Sequence, residues 1–323
     1  MKKFIRLFFT GFMMGAADIV PGVSGGTIAF IFGIYEELLH TIKTVSGKTL
    51  RLALKGQFTE AIKSIPFGFG IPLGLGLGVA LLSMARAISF LLVEYPAFLW
   101  SFFFGLVVAS IILVRKRVID WDMKDYLALL FTTVGSYILV GAVPVETPNT
   151  YLAIMLSGAI AICAMILPGI SGSFLLVIMG KYEQILNAVV DRDIMTLAIF
   201  MIGIVIGISL FSRLLTWLFA RHHDIVIAAL LGFMIGSLRK IWPWKEVITT
   251  RINSHGEVVP LLEKNILPMS FDGNVIMCIV LAIGGMALIM MLEKFQVMKE
   301  HTKDIENTEF EKSHTQAIVA EQN

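Results

Sequence analysis

The chain has 323 residues, of which 57% are apolar and only 15% are charged, and its mean hydropathy is +0.82. A soluble domain carries about a quarter charged residues, so this composition excludes an ordinary soluble protein and predicts that lipid surrounds most of the chain. The net charge of +2 is the small difference between 26 basic and 24 acidic side chains, and we expect no nucleic-acid partner.

The first apolar region, residues 4–39, is interrupted by the motif Ile19-Val-Pro-Gly-Val-Ser-Gly-Gly26. Pro21 followed by Gly22 ends a helix, and Ser24 is well suited to cap the next one. A pair of short helices with a break between them is typical of a re-entrant hairpin, which enters and leaves the membrane on one side. We therefore predict such a hairpin here and a second one at residues 151–186.

A spanning helix needs about 20 apolar residues. Six stretches qualify in full or nearly so, at residues 66–92, 97–114, 126–143, 194–220, 225–238 and 275–292. Basic residues concentrate before the first hairpin and at 43–63 and 115–124, which predicts that the N terminus and both of these loops are cytoplasmic. By the same count, the loop 241–273 is external, and the polar tail 293–323 is cytoplasmic and disordered.

The two hairpin motifs are copies of one another. Ile166-Leu-Pro-Gly-Ile-Ser-Gly-Ser173 repeats the first motif at an offset of 147 residues, and the Tyr-Glu pair that follows each motif keeps this offset. Further along, the offset is 127 and pairs Gly76 with Gly203 and Arg86 with Arg213. The chain is therefore a duplicated unit, and the first copy has a basic loop that the second lacks.

Because one unpaired span, 126–143, separates the two copies, we expect the second copy to be inverted in the membrane. The predicted fold is an all-α membrane protein, an inverted-repeat transporter with two re-entrant helical hairpins and about six spanning helices. Residues 1–292 form a single transmembrane domain. It comprises repeat one (about 4–114), a linker helix (125–143), repeat two (about 151–240) and an extra helix (275–292).

Inverted repeats with broken helices are typical of transporters whose substrate site lies where the half-helices meet. Helix N-termini carry partial positive charge and unpaired N–H groups, so two of them aimed inward would bind an anion. The alternative is that the small residues only allow helices to cross closely. The hairpin breaks are Pro21, Gly22, Pro168 and Gly169, and the predicted phosphate-binding residues beside them are Ser24, Gly25, Gly26, Thr27, Ser171, Gly172 and Ser173.

Two arginines occupy equivalent positions within apolar spans, Arg86 and Arg213. An intramembrane arginine is costly unless paired, and its guanidinium binds phosphate through two parallel hydrogen bonds. We predict that both bind the phosphate; the alternative is that they snorkel to the membrane surface.

Three carboxylates near the motifs, Asp18, Glu36 and Glu183, are candidates for binding a coupled proton or Na⁺, with pairing to nearby cations as the alternative. Tyr35 and Tyr182 are expected to mark the membrane interface. We expect no metal and no other cofactor.

The paired motifs, Asp18-Ile-Val-Pro-Gly-Val-Ser-Gly-Gly-Thr27 and Leu167-Pro-Gly-Ile-Ser-Gly-Ser173 with Tyr-Glu after each, resemble the bacterial PopT family of polyprenyl-phosphate transporters, long catalogued as a membrane domain of unknown function. The resemblance covers about residues 4–292. It implies a multipass plasma-membrane protein that returns undecaprenyl phosphate, the lipid carrier of cell-wall precursors, from the outer to the inner leaflet. The second copy departs from the first at Met165 and Ser173, which replace Asp18 and Gly26.

The residues alone support an anion transporter without identifying the lipid. A secondary transporter of a small soluble anion is therefore the main alternative, followed by an intramembrane phosphatase and a structural scaffold. An enzyme is not expected, since the sequence offers no convincing nucleophile held by a base.

Overall fold

The computed structural model describes residues 2–20, 23–142, 144–145, 147–252, 258–268 and 270–294. The predicted break residues Pro21 and Gly22 and nearly all of the predicted disordered tail lie outside the described residues. Within the described part, the chain is helical except for one two-stranded antiparallel hairpin and the connecting segments.

The first copy of the repeat forms a series of helices of very different length. They are α1 (Lys2–Ile19), α2 (Gly25–Ile31), α3 (Tyr35–Lys43), a π-helix (Thr44–Thr49), α4 (Leu50–Leu54), α5 (Phe58–Ser64), α6 (Phe67–Glu94) and α7 (Pro96–Arg115). The π-helix joins α3 to α4 without interruption. The basic segment predicted as a loop is thus helical.

The linker helix and the second copy follow. They comprise α8 (Met123–Leu139), α9 (Tyr151–Ile166), α10 (Gly172–Ile178), α11 (Tyr182–Val190), α12 (Ile194–Arg221) and α13 (His223–Ser237). The predicted external loop contains the antiparallel strands β1 (Lys245–Ile252) and β2 (Val258–Asn265), and the last described helix is α14 (Gly273–Lys294).

The duplication is visible in the packing of the long helices. α6 and α12 each have 28 residues, and α1 packs along α6 as α9 packs along α12. At the first crossing, a Cβ on Gly76 would overlap the carbonyl of Phe8. At the second, a Cβ on Gly203 would overlap the carbonyl of Met155. Because these pairs keep the offsets of 127 and 147, the two copies share one packing arrangement that requires glycine at each crossing.

Four helices are long and apolar enough to cross a membrane: α6, α7, α12 and α14. The other two predicted spans, 126–143 and 225–238, form the shorter helices α8, of 17 residues, and α13, of 15 residues. The described residues therefore contain four candidate spans, or five if the bent pair Gly172–Ile178 and Tyr182–Val190 counts as one, and not six. The inversion of the second copy stays a prediction.

Each hairpin consists of three helices where the sequence predicted two. α1 and α9 end at Ile19 and Ile166, as expected from the Pro-Gly breaks. A second break then separates α2 from α3 and α10 from α11, and the latter pair is bent by 106°. Gly33 and Gly180, with φ of 69° and 64°, lie at these second breaks, in a left-handed conformation that glycine adopts at no steric cost.

Candidate functional site

The two broken segments meet in the interior of the protein. The Ser24 hydroxyl donates to the Met165 carbonyl at 3.3 Å, and the Gly169 N–H donates to the Thr27 hydroxyl oxygen at 3.0 Å. A Cβ on Gly26 would lie 2.7 Å from the Ile166 carbonyl oxygen, so glycine is needed for this approach. The two repeats therefore join at the motifs that the sequence singled out, and we call this contact the junction.

Tyr35 is a further member of the junction, a contact that the sequence does not indicate. It is 1% exposed and its hydroxyl donates to the Ile166 carbonyl at 3.1 Å, whereas its position relative to the membrane interface stays a prediction. Its repeat equivalent, Tyr182, is 39% exposed. The shared position after each hairpin motif was the available signal, but it could not show which tyrosine would be buried.

The start of α2, which follows the first break, is closed within the protein. Ser24 caps α2 by accepting from the Gly26 N–H at 3.1 Å, as predicted for an N-cap serine. The Asp18 carboxylate accepts from the Gly25 N–H at 2.6 Å. Residues 23–32 are all buried. The N–H groups that would bind an external anion are thus already bonded to a carboxylate and a hydroxyl of the protein itself.

The second break differs, although its sequence is nearly the same. Ser171 occupies the N-cap position of α10 without a side-chain capping bond, and its hydroxyl pairs with that of Ser173 at 2.8 Å. Ser173 is exposed and Gly172 is buried. Gly169, with φ of 85°, packs against α13, where a Cβ would lie 2.7 Å from the Ser237 hydroxyl oxygen. The second break therefore presents hydroxyl groups at an accessible surface.

Basic side chains bind backbone carbonyls at the far end of α2. Arg6 donates to the Phe32 carbonyl and Arg117 to the Ile31 carbonyl, each at 3.0 Å. Cations are favourable at a helix C-terminus, where carbonyl groups lack helical partners. These two arginines fix the buried end of the first hairpin.

Lys181 lies in the corresponding region of the second hairpin and is fully buried. Its ammonium group donates to the carbonyls of Thr147 and Pro148 at 3.2 and 3.0 Å. It also donates to the side-chain oxygens of Asn149 and Gln184, at 2.7 and 3.0 Å. These contacts tie the connection before α9 to the second hairpin, and nothing in the sequence beyond the charge of Lys181 indicated them.

The remaining predicted site residues lie away from the junction contacts. Arg86 and Arg213 are exposed on α6 and α12, and the Arg213 guanidinium lies beside Gly47 of the π-helix, 3.1 Å from the position of a Cβ there. Glu36 is exposed on α3, with an oxygen 4.0 Å from His223 Nε2. Glu183 is half-buried on α11. Of the three candidate coupling carboxylates, only Asp18 is part of the junction.

Known proteins with similar sequences point to one family. Residues 14–259 match the family described as VCA0040-like, undecaprenyl phosphate translocase-like. The chain is 40% identical over 299 residues to a protein of Vibrio cholerae serotype O1 named polyprenyl-phosphate transporter, covering 91% of this chain and 97% of the relative.

A second polyprenyl-phosphate transporter, from Staphylococcus aureus, is 28% identical over 254 residues, covering 72% of this chain and 84% of the relative. No solved structure matches the chain. The first match spans well over half of the chain, and the first relative matches over nearly the full length of both proteins. The chain therefore belongs to the VCA0040-like family of undecaprenyl phosphate translocase-like proteins.

Proposed function

We propose that this protein moves polyprenyl phosphate across the bacterial plasma membrane, returning undecaprenyl phosphate from the outer to the inner leaflet for reuse in cell-wall synthesis. It acts as a transporter and not as an enzyme. Both termini are cytoplasmic and the second repeat is inverted. The names of the two relatives support the substrate class, and the four long apolar helices support a multipass membrane protein.

One observation carries the proposal: the segments beside two repeat-equivalent breaks touch each other, and the one after the first break is buried while the one after the second break includes an exposed hydroxyl. Ser24 is 2% exposed, whereas Ser173, two residues after the equivalent of Ser24, is exposed. In transporters built from inverted repeats, the substrate passes between the repeats as one side closes and the other opens. A buried start of α2 and an exposed Ser173 beside the second break correspond to one end state of such a cycle.

The phosphate headgroup enters at the accessible break, where the hydroxyls of Ser171 and Ser173 and the N–H of Gly172 receive it. Polar backbone at membrane depth is tolerated only where it is buried in protein or lines a polar cavity, and the junction is where polar groups of the two repeats meet. The isoprenoid tail stays in the lipid, so only the charged group needs a route through the protein.

Asp18 couples this movement to a proton. Its carboxylate bonds to the N–H of Gly25, the group that an incoming phosphate would need at the first break. A carboxylate and a phosphate that share one N–H group repel each other. The headgroup therefore reaches the first break only after Asp18 takes up a proton. The second repeat has Met165 at the equivalent position and needs no such step.

The test is movement of a polyprenyl phosphate between leaflets of proteoliposomes, with and without an imposed proton or Na⁺ gradient. Wild-type protein should move the lipid, and Ser171→Ala with Ser173→Ala should slow the movement in protein that is folded. Inorganic phosphate trapped in the same vesicles provides the contrast. Release of that phosphate with no lipid movement would favour the small-anion transporter.

A further inference from the structure

A basic cavity lies where α3 and the π-helix pack against α12. Its volume is about 380 Å³ and five basic side chains line it: His40, Lys43, Lys48, Arg51 and Arg213. We propose that this cavity binds the phosphate group of a polyprenyl-phosphate lipid, as a docking site separate from the junction. The proposal rests on the proposed function for the choice of lipid.

The basic residues of the segment α3–π-helix–α4 lie on one side of it. His40, Lys43, Lys48 and Arg51 all line the same cavity, although the π-helix stands between Lys43 and Arg51. The π-helix lies in the middle of this segment. π-helices are rare in proteins, and those that occur are often found at functional sites. Gly47, within this π-helix, lets the Arg213 guanidinium approach the backbone.

Within the part of the chain that the structure describes, the charges in this cavity have no counter-ion. No carboxylate is among its lining residues. Among the described residues, no ion pair involves Lys43, Lys48, Arg51 or Arg213. Like charges brought together raise the energy of the folded state unless an anion compensates them. Arginine and lysine together are the side chains that bind phosphate best, through planar forks and point charges respectively.

The surroundings favour a phosphate that is attached to a lipid. Arg213 belongs to a helix of 28 residues that is long and apolar enough to cross a membrane, and Leu210, Leu214 and Trp217, all within about one turn of it, are exposed. On the facing segment, Leu50 and Leu54 are exposed as well. A charged group can therefore sit in the cavity while its hydrocarbon chain lies along the apolar face of α12.

The space is sufficient for this headgroup. At about 30 Å³ for each water molecule, 380 Å³ corresponds to roughly a dozen waters, which accommodates a phosphate with part of its hydration shell. The second repeat has only residues 191–193 where the first has the basic helices. The cavity is thus present once in the described chain, which gives the two repeats different affinities for the headgroup.

The experiment measures binding of farnesyl phosphate, a short polyprenyl phosphate, to the purified full-length protein. Arg213→Gln and Lys48→Gln should each weaken binding about tenfold or more, the effect of removing one hydrogen bond to a charged group. Lys55→Gln and Lys63→Gln remove exposed charges of the same basic segment that do not line the cavity, and they should leave binding unchanged. Because Lys48 is exposed, its variant should fold even if the Arg213 variant does not.

Two competitors separate the sources of the phosphate. Phosphatidylglycerol and inorganic phosphate should each displace farnesyl phosphate only weakly. If all four variants bind farnesyl phosphate as tightly as the wild-type protein, the cavity is not the site. If either competitor displaces farnesyl phosphate as well as unlabelled farnesyl phosphate does, the assignment to a polyprenyl phosphate is overturned. Leaflet movement by wild-type protein is measured separately. Movement with unchanged binding in the cavity variants would refute the cavity alone, whereas absence of movement would refute the proposed function.

Discussion

Thr27→Val tests the contact that joins the two repeats. The Thr27 hydroxyl oxygen accepts the N–H of Gly169 at 3.0 Å, and Thr27 is 1% exposed. Valine has nearly the shape of threonine, so the change removes the acceptor without opening a large cavity. The N–H of Gly169 is left buried without its partner.

The cost follows from that unpaired group. A buried donor that loses its acceptor costs about 1–3 kcal/mol, which corresponds to a change of about 5- to 150-fold in the unfolding equilibrium. Thr10→Val is the matched control, because Thr10 is also 1% exposed and its hydroxyl donates to the Arg6 carbonyl at 2.9 Å within α1. That carbonyl keeps its helical N–H partner, so the control should cost much less.

The measurement is unfolding of both variants in detergent, followed by leaflet movement of polyprenyl phosphate in proteoliposomes. Thr27→Val should unfold at lower denaturant concentration than Thr10→Val and should also move lipid at a different rate, because the bond spans the interface that must rearrange. Identical unfolding of the two variants would show that the bond between the repeats contributes nothing, and the junction would lose its structural basis.

Three further predictions concern other parts of the molecule. Gly203→Val should abolish folded protein in a detergent extract, because a side chain there would overlap the backbone of α9. The control Gly74→Ala places its side chain in open space, so the protein should stay folded and its helix should gain up to about 1 kcal/mol of stability. Burial lowers the pKa of Lys245 to about 8, although the nearby Glu263 carboxylate opposes this shift. Between about pH 8 and the ordinary pKa of 10.5, the unfolded chain therefore holds more protons than the folded one, so the stability of the β-hairpin to denaturant should rise with pH. Tryptophan fluorescence measures this rise, and Lys245→Met should remove it. Asp18→Asn keeps an acceptor for α2 but cannot ionise, so transport should lose its dependence on an imposed proton gradient, and an unchanged dependence would exclude Asp18 as the coupling group.

Much of the architecture could be predicted because the signals were local and repeated. The Pro-Gly breaks predicted the ends of α1 and α9, and the apolar stretches 66–92 and 194–220 predicted α6 and α12, because these signals act within a few residues. The second breaks at Gly33 and Gly180 were missed because a single glycine in an apolar run marks a break only when neighbouring helices require the turn. The helical form of the basic segment 43–63 was not predicted, because its many charged residues indicated a loop and its apolar residues were not recognised as lying on one side of a helix.

The asymmetry of the junction depends on differences between the copies that look minor in sequence. Gly169 donates to Thr27, but the reciprocal bond cannot form because Phe174 stands at the position equivalent to Thr27. Asp18 bonds to the start of α2, and its equivalent, Met165, has no side-chain oxygen to do the same for α10. Two identical breaks would compete equally for each other's carbonyls and would favour a symmetric contact. These unlike residues therefore account for the asymmetry of the junction: the first repeat supplies an acceptor at Thr27 and a carboxylate at Asp18, and the second repeat supplies neither at the equivalent positions.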